Sequence, residues 1–510
     1  MMGRKGSRYD EQEPLAEALF SPIDDADSDG HEQITTLQWT KGEQQPPQCR
    51  DAWAAILFYG QLISIGVLAM LWGVPAVQKA IITSGSGSSE NEADSSSDYD
   101  NMGLLYASMI AGGGSFIFSA ISLAIMSACP KVLIQISLLF SLICSLLIAT
   151  SSFIYGSIVG GIFGVVFFLL SICYACLVWR RIPFAAANLT TGLTAVKMNG
   201  GVFLVAIGIV LLSFGYCLLW MTALVGVYDK LGLCVSTTEN DGTTTTTCSE
   251  DDLAWGYFFL LLLAFFWTEQ VFQNTIHVII AGVVSTWWFA PEDAGSCCSV
   301  AIKDSFVRAT TTSFGSICFG SLLVAIIQTL RTMVENARSD NDNGGSAFLL
   351  CILDCLLRCL EDMLEYFNKF AYIYVGMYGY SYLDAGKNVM ILFKQKGWSV
   401  IISDNLISNV LSLFCLIIGG LTGCVGLIMN EINPSWFEGY GDASVGVSFG
   451  FSFLVGIVIS AILLSVVDSS VNTVLVCFAE APAEFEANHS TLSFEMRAAW
   501  RKVYPDDCGF

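Results

Sequence analysis

Charge is scarce in this 510-residue chain. Asp, Glu, Lys and Arg together make up 13% of it, about half the share usual in a soluble globular protein. Cations are the scarcer kind, 23 Lys and Arg against 45 Asp and Glu. No basic patch forms, which excludes nucleic acid as a partner. The phosphate-cradling pattern GxxxxGK[ST] is missing, and with it the sign of an ATP-driven pump. HExxH is missing too, and no His stands near a Cys cluster to complete a zinc site, so neither a metal nor a cofactor is expected. No TVGYG-like selectivity filter occurs. No long soluble stretch is present to house an enzyme. Residues 1–50 lack an apolar h-region, so the first apolar run is expected to act as the targeting signal itself.

What fills the chain instead is apolar: 54% hydrophobic residues and a mean hydropathy of +0.61. Runs long enough to cross a bilayer recur down most of the sequence. The fold class this implies is all-α, a polytopic membrane protein of about ten transmembrane helices. The spans read as 52–77, 104–128, 132–155, 158–179, 202–227, 255–290, 313–332, 371–393, 400–429 and 445–478. An irregular connector with Pro183 and Gly192 is expected before the fifth span, and an amphipathic helix at 348–367. The net charge of −22 resides largely outside the spans. Much of it lies in the tail 1–50 together with loops such as 89–100, whose Ser/Asp/Glu-rich composition predicts disorder. Polar loops follow at 77–103 and 228–254, and a polar tail at 479–510. The transporter domain proper is thus 51–478.

Lys and Arg in short loops set orientation. Lys131, Arg180, Arg181, Lys197, Lys303, Arg308, Lys394 and Lys396 fall on one side with Arg497, Arg501 and Lys502, and only Lys79 and Lys230 oppose them. Both termini are therefore expected in the cytosol. Arg331, Arg338 and Arg358 break this pattern, and a re-entrant seventh segment would restore it. Cys234 and Cys248 flank the Thr-rich loop and are candidates for a disulfide if that loop is non-cytosolic; free thiols are the alternative. Cys351, Cys355 and Cys359 recur every four residues on one face, read as an interfacial apolar stripe. The AGGGS run at 111–115 and the GSICFG run at 315–320 read as close helix contacts.

Ionisable groups inside spans are costly, ~2.5–3.5 kcal/mol or more each, and so mark candidate sites. In the sixth span Glu269, Gln273 and His277 are four apart on one stripe, with Gln270 and Asn274 beside them. Either a substrate path with proton-carrying Glu269 and His277 or a polar lock between helices fits that stripe. The eighth span crowds Tyr372, Tyr374, Tyr378, Tyr380 and Tyr382. Tyr374, Tyr378 and Tyr382 share a face, which suits cation–π capture of a quaternary ammonium or an aromatic belt at the interface. Asp384 and Lys387 are spaced to pair. The tenth span carries Asp468 and Asn472, four apart, for a substrate contact or a helix–helix hydrogen bond.

These same segments resemble the choline transporter-like family, most closely its fungal "pH nine sensitive" branch. NTIHVIIAGVVSTWWF at 274–289 is similar to that branch's NxIHVxIAG…WYF stretch. SFGSICFGSLLVAIIQTLR at 313–331 resembles its FGSICFGSL signature. FNKFAYIYVGMYGYSYLDAGKN at 367–388 is similar to N-x-x-AYI…YG…AK, with Lys387 on the lysine and Gly386 in place of the alanine. VLVCFAEAPAEF at 474–485 resembles the closing CFAEDPE. The resemblance runs from Asp51 to the C-terminal end. Two departures stand out: Asn472 where many animal members have Asp, with Asp468 one turn earlier as the nearest acid, and a short first loop without an N-x-[ST] sequon. The resemblance implies uptake or exchange of choline or a related amine across the plasma or an organelle membrane, with ethanolamine and proton antiport associated with some members. The expectation is a secondary transporter whose partners are a small amine and the lipid bilayer. Its binding site would draw on Glu269, Gln273, Asn274, His277, Tyr374, Tyr378, Tyr382, Asp384, Lys387, Asp468 and Asn472. A channel-like pore and a non-transporting scaffold using the acidic tail and the 348–367 helix are the rival readings.

Overall fold

The computed structural model describes residues 42–79, 97–156, 158–231, 234–238, 244–248, 252–339, 344–396, 401–437, 441 and 443–503. Helix α1 (Ala52–Leu68) runs on through a π turn at Ala69–Gly73. Then come α2 (Ser97–Ala128), α3 (Pro130–Ile154), α4 (Ile158–Val178), α5 (Ile182–Met198) and α6 (Gly201–Leu231). A two-stranded hairpin, β1 (Cys234–Thr238) and β2 (Thr244–Cys248), leads to α7 (Asp252–Phe289) and α8 (Val300–Thr310). The rest is α9 (Phe314–Ser339), α10 (Gly344–Tyr378), α11 (Tyr382–Lys396), α12 (Ile401–Ile432), α13 (Ser444–Glu480), α14 (Pro482–Asn488) and α15 (Ser490–Val503).

The chain is an all-α polytopic membrane protein. Among the described residues, eight helical segments are long and apolar enough to cross a membrane. Helices α7 and α10 miss that composition, yet at 38 and 35 residues they are the length of the longest spans. Their polar side chains line the protein's interior, as shown below. The outer helices read the other way: α4 is apolar all round and leaves Ile158, Phe163, Phe167, Leu170 and Leu177 more than half exposed. Such a surface is stable only against lipid.

Two packed groups share α5 and α13. In one, α7 is the axis, with α9, α10 and α13 against it and α1 and α6 outside. In the other, α2, α3, α5 and α12 close around the second flank of α13.

Five expectations change. The supposed connector before the fifth span is α5, a buried 17-residue helix. Pro183 sits in its first turn, where a missing N–H costs nothing. The amphipathic segment 348–367 and the start of the eighth span are one helix, α10. It stops at Gly379, whose φ of +77° a side chain disfavours, and α11 begins afresh at Tyr382. The acids that suggested an interfacial helix are accommodated in α10 because Arg331 pairs with Glu361 at 2.7 Å and Arg338 with Asp354 at 3.4 Å. α9 is one unbroken helix rather than a re-entrant segment and runs antiparallel to α10, so Arg331, Arg338 and Arg358 still stand against the Lys and Arg pattern, in which acids count for little. The 479–510 stretch is no loose tail through residue 503. Phe485 stacks on Trp288 at 3.9 Å, His489 on Trp287 at 4.0 Å, and Trp500 packs edge-on against Phe184 at 5.1 Å. The tail predicted as disordered to residue 50 is ordered from Gly42; residues 1–41 lie outside the described ones.

Cys351, Cys355 and Cys359 are all exposed, on the same outward side of α10 as Leu356 and Leu360. In the hairpin, the antiparallel register places Cys234 opposite Cys248. Directly opposed residues of an antiparallel pair have Cα atoms about 4.5–5.5 Å apart, within the Cα separation a disulfide spans. Peptide mapping of purified protein without reductant is expected to yield a linked Cys234–Cys248 pair that separates on reduction. Two free thiols in that map would end the disulfide reading.

Candidate functional site

Where α7, α10, α12 and α13 meet, a cavity of about 370 Å³ opens. Helix α7 contributes Gln270, Gln273, Asn274, Ile276 and His277, and α10 contributes Asp362, Glu365, Tyr366, Asn368 and Lys369. Ser408 of α12 and Ser465, Asp468 and Ser469 of α13 complete the wall. On α10 the lining positions 362, 365, 366 and 369 follow the i, i+3, i+4, i+7 face of a helix.

The cavity has a floor. Three groups from three helices meet there. His277 Nε2 lies 2.7 Å from the carbonyl oxygen of Lys369, and its Nδ1 lies 2.8 Å from Ser469 Oγ. A carbonyl only accepts, so Nε2 carries the proton and Nδ1 of the neutral ring accepts from the serine. Lys369 Nζ pairs with Asp468 Oδ2 at 3.1 Å. Ser408 donates to Asp468 Oδ1 at 3.3 Å, and Asn472 Nδ2 donates to its carboxylate at 3.1 Å and its carbonyl at 2.7 Å.

Accessibility falls off at this layer on α7, α10 and α13. Gln273, Asp362 and Glu365 are exposed, whereas residues 278–284 of α7, 370–378 of α10 and 469–480 of α13 are all buried. The cavity therefore reaches the surface at one end and is sealed at the other. The N-proximal segment and the end of α13 meet at the sealed end, where the Gly42 N–H donates to Glu480 Oε1 at 2.7 Å.

The lining holds three carboxylates (Asp362, Glu365, Asp468) and one ammonium (Lys369), an excess of two negative charges with His277 neutral. Its walls are rich in amides. Glu365 accepts from Gln328 at 3.2 Å and Gln270 at 3.5 Å, and Asn274 donates to Ser321 at 2.9 Å. Asn368 donates to the Gly320 carbonyl at 3.1 Å and accepts from the Tyr382 hydroxyl. Such a chamber favours a small cation with hydrogen-bonding groups.

Of the residues singled out in the sequence, Gln273, Asn274, His277 and Asp468 line the cavity, and Asn472 supports it from behind. Glu269 does not reach it. A step of four residues turns 40° round a helix, and by position 269 the stripe faces α6, where Ser213 and Cys217 donate to the carboxylate at 2.6 and 3.3 Å. The tyrosines sit elsewhere too. Tyr374, Tyr378 and Tyr380 cluster at the sealed end, with ring centroids 5.7–6.4 Å apart. Tyr382 stands behind the wall, bonded to Asn368. Asp384 accepts from Ser381 at 2.6 Å at the start of α11, and Lys387 is exposed there. The ring in the cavity wall is Tyr366, which sequence reasoning missed along with Asp362, Glu365 and Lys369. Asp362, Glu365 and Tyr366 fall in the segment read from sequence as an amphipathic helix, and Lys369 lies just past it, so no apolar span marks them as costly.

The family profile described as plasma-membrane choline transporter matches residues 162–483. That stretch holds all four cavity-lining helices. Curated relatives carry the name Protein PNS1. The one from Cryptococcus neoformans is 29% identical over 476 residues, 91% of this chain and 84% of its own length. The Eremothecium gossypii protein is 30% identical over 354 residues, 67% of this chain and 62% of its own. The Saccharomyces cerevisiae protein is 27% identical over 412 residues, 79% and 74% of the two chains.

Proposed function

The chain belongs to the choline transporter-like family, and we propose on that premise that its cavity binds choline or a related small organic amine and carries it across the membrane as a secondary transporter. The observation that carries this reading is a net-negative chamber that is reached from one end and sealed at the other by its own helices. A carrier in one of its two states has that form, and a continuous pore does not. The ammonium group would enter past Asp362 and Glu365 and settle toward Asp468, competing there with Lys369. The Tyr366 ring would supply a cation–π face, and the amides of Gln270, Gln273 and Asn274 would take a hydroxyl. With both chain ends in the cytosol, as the Lys and Arg distribution favours, the open end faces away from the cytosol. The description of the matching family profile favours the plasma membrane over an organelle membrane, whose topology would be the same.

Exchange of the two states requires α7, α10 and α13 to part beyond the floor. His277 ties all three together there. Protonating Nδ1 would force the Ser469 hydroxyl to turn from donor to acceptor, so a proton could loosen the α7–α13 contact and couple proton movement to the change of state.

Uptake of radiolabelled choline into proteoliposomes, with and without a pH gradient, tests both parts. Saturable uptake above that of empty liposomes is expected. His277→Ala is expected to lose the pH response. Glu269→Gln, which alters a contact between α7 and α6 away from the cavity, should keep it. A folded wild-type protein that takes up no choline ends the choline assignment. Equal pH dependence in wild type and His277→Ala ends proton coupling through this residue.

A further inference from the structure

The segment just before α1 does more than lead into the membrane. Residues 42–50 cross the sealed end of the cavity as an extended strap bonded through its own backbone. The Gly42 N–H donates to Glu480 Oε1 at 2.7 Å, Glu43 to the Tyr380 hydroxyl at 3.2 Å, Gln45 to the Tyr378 carbonyl at 2.9 Å, and Arg50 to the Thr312 carbonyl at 3.1 Å. These partners lie at the end of α13, at the α10–α11 junction and just ahead of α9. Gly42 lies flat on the Tyr378 ring, so close that a Cβ would stand 2.5 Å from it. The strap thus binds together the ends of helices that must separate if the cavity is to open on this side.

It ends at Asp51, the sole non-glycine residue with positive φ among the described residues (φ 51°, ψ 35°). That conformation is disfavoured for most residues with a Cβ; Asp is among the few that enter it, when hydrogen bonds to its short polar side chain hold it there. Here they do. Asp51 Oδ2 accepts from Ser316 Oγ at 2.7 Å and from the Tyr382 N–H at 3.1 Å, so it satisfies a free donor at the start of α11. The Arg50 and Asp51 carbonyls rest on Gly315, where a Cβ would lie 2.3 and 2.5 Å from them. The Tyr382 that Asp51 holds by its backbone reaches with its hydroxyl to Asn368 in the cavity wall.

We propose that residues 42–51 are a latch that keeps the sealed side of the cavity closed, with Asp51 as its hinge and Tyr382 as the positioning residue that links the latch to the cavity wall. Opening toward this side requires the strap to lift and Asp51 to release α11. What the latch gates rests on the carrier reading, but the latch itself can be tested without any solute.

Hydrogen–deuterium exchange on the full-length protein in lipid nanodiscs, read by mass spectrometry, is the test. In the wild type, peptides covering 42–51 should be protected. In Asp51→Ala, exchange should rise about tenfold in 42–51, as suits loss of a charge-assisted hydrogen bond, and should rise together with it in 370–382. Tyr380→Phe, which removes one contact at the strap's far end, should give a smaller joint rise and serves if the first variant does not fold. A wild-type strap exchanging at free-chain rates would overturn the latch. So would unchanged exchange in both variants, or a rise confined to 42–51, which would make the strap a passive tether. None of these outcomes depends on whether choline is carried, so failure here is distinct from failure of the transport assignment.

Discussion

Asp468→Ala is expected to lower the initial rate of choline uptake ~10–100-fold while leaving the protein folded, a loss of roughly 1.4–2.8 kcal/mol. Two effects add. The side chain is the carboxylate of the cavity floor, so its removal takes away the charge that would balance the bound cation. It is also the partner of Lys369, whose ammonium would then stand uncompensated where the substrate is to bind. The pair keeps 21% and 26% of its side-chain surface accessible, so water screens part of the interaction and the larger figures for fully buried pairs do not apply. Asp468→Asn separates charge from architecture. The amide oxygen can still accept from Asn472 while the NH2 donates to the Ser408 hydroxyl, which can turn to accept, so this variant should fold as the wild type does and yet transport poorly. Removing the lysine as well, in Lys369→Met with Asp468→Ala, should recover part of the loss and show coupling between the two sites. Wild-type uptake in Asp468→Ala would remove this carboxylate from the substrate path.

Gly376→Leu is expected to abolish uptake outright and to lower the yield of folded protein. At this point α10 lies against α7 so closely that a Cβ would stand 2.6 Å from the Val278 carbonyl oxygen, 3.0 Å from the Ala281 Cβ and 3.2 Å from the Gly282 nitrogen. Two of those neighbours are backbone and cannot turn aside. The helices would have to move apart, and they are the two that carry the amides and most of the acids of the cavity. The contact lies between the floor and the strap, so the damage falls on the seal itself. Overpacking a close seam costs ~1–3 kcal/mol even where side chains can give way. Size-exclusion chromatography and thermal unfolding of the purified variant check the first part, and uptake the second. Gly376→Ala should give the same effects in milder form. A monodisperse Gly376→Leu protein with normal uptake would show that α7 and α10 need not meet here.

The polar stripe on α7 was legible because cost in lipid is local: each ionisable group in an apolar run stands out whatever surrounds it. Spacing then gave a face, and from Gln273 to His277 that face is the cavity's. The same reasoning extends the face to Glu269, which the structure turns toward α6 instead, since a stripe drifts round the helix and the sequence does not say where one neighbour gives way to the next. The tyrosines of 374–382 stand apart from the cavity for a related reason. Their number predicted an aromatic site, but a helix break at Gly379 splits them, and those before it point into the sealed end rather than the cavity.

By itself the sequence determined that this chain lives in a bilayer as a bundle of helices, because hydropathy and length act within one segment at a time. It also determined the family, through four ordered motifs, and it marked His277 and Asp468 as costly groups needing a reason. Only the tertiary structure decided which faces meet. It made α5 a buried helix, joined the acids of α10 to the arginines of α9, turned Asp362, Glu365, Tyr366 and Lys369 into a cavity wall, and laid residues 42–51 across the sealed end. Each of these depends on pairings between residues far apart in the chain, such as Gly42 with Glu480 or Asp51 with Tyr382, and no local pattern encodes which partner a polar group will find.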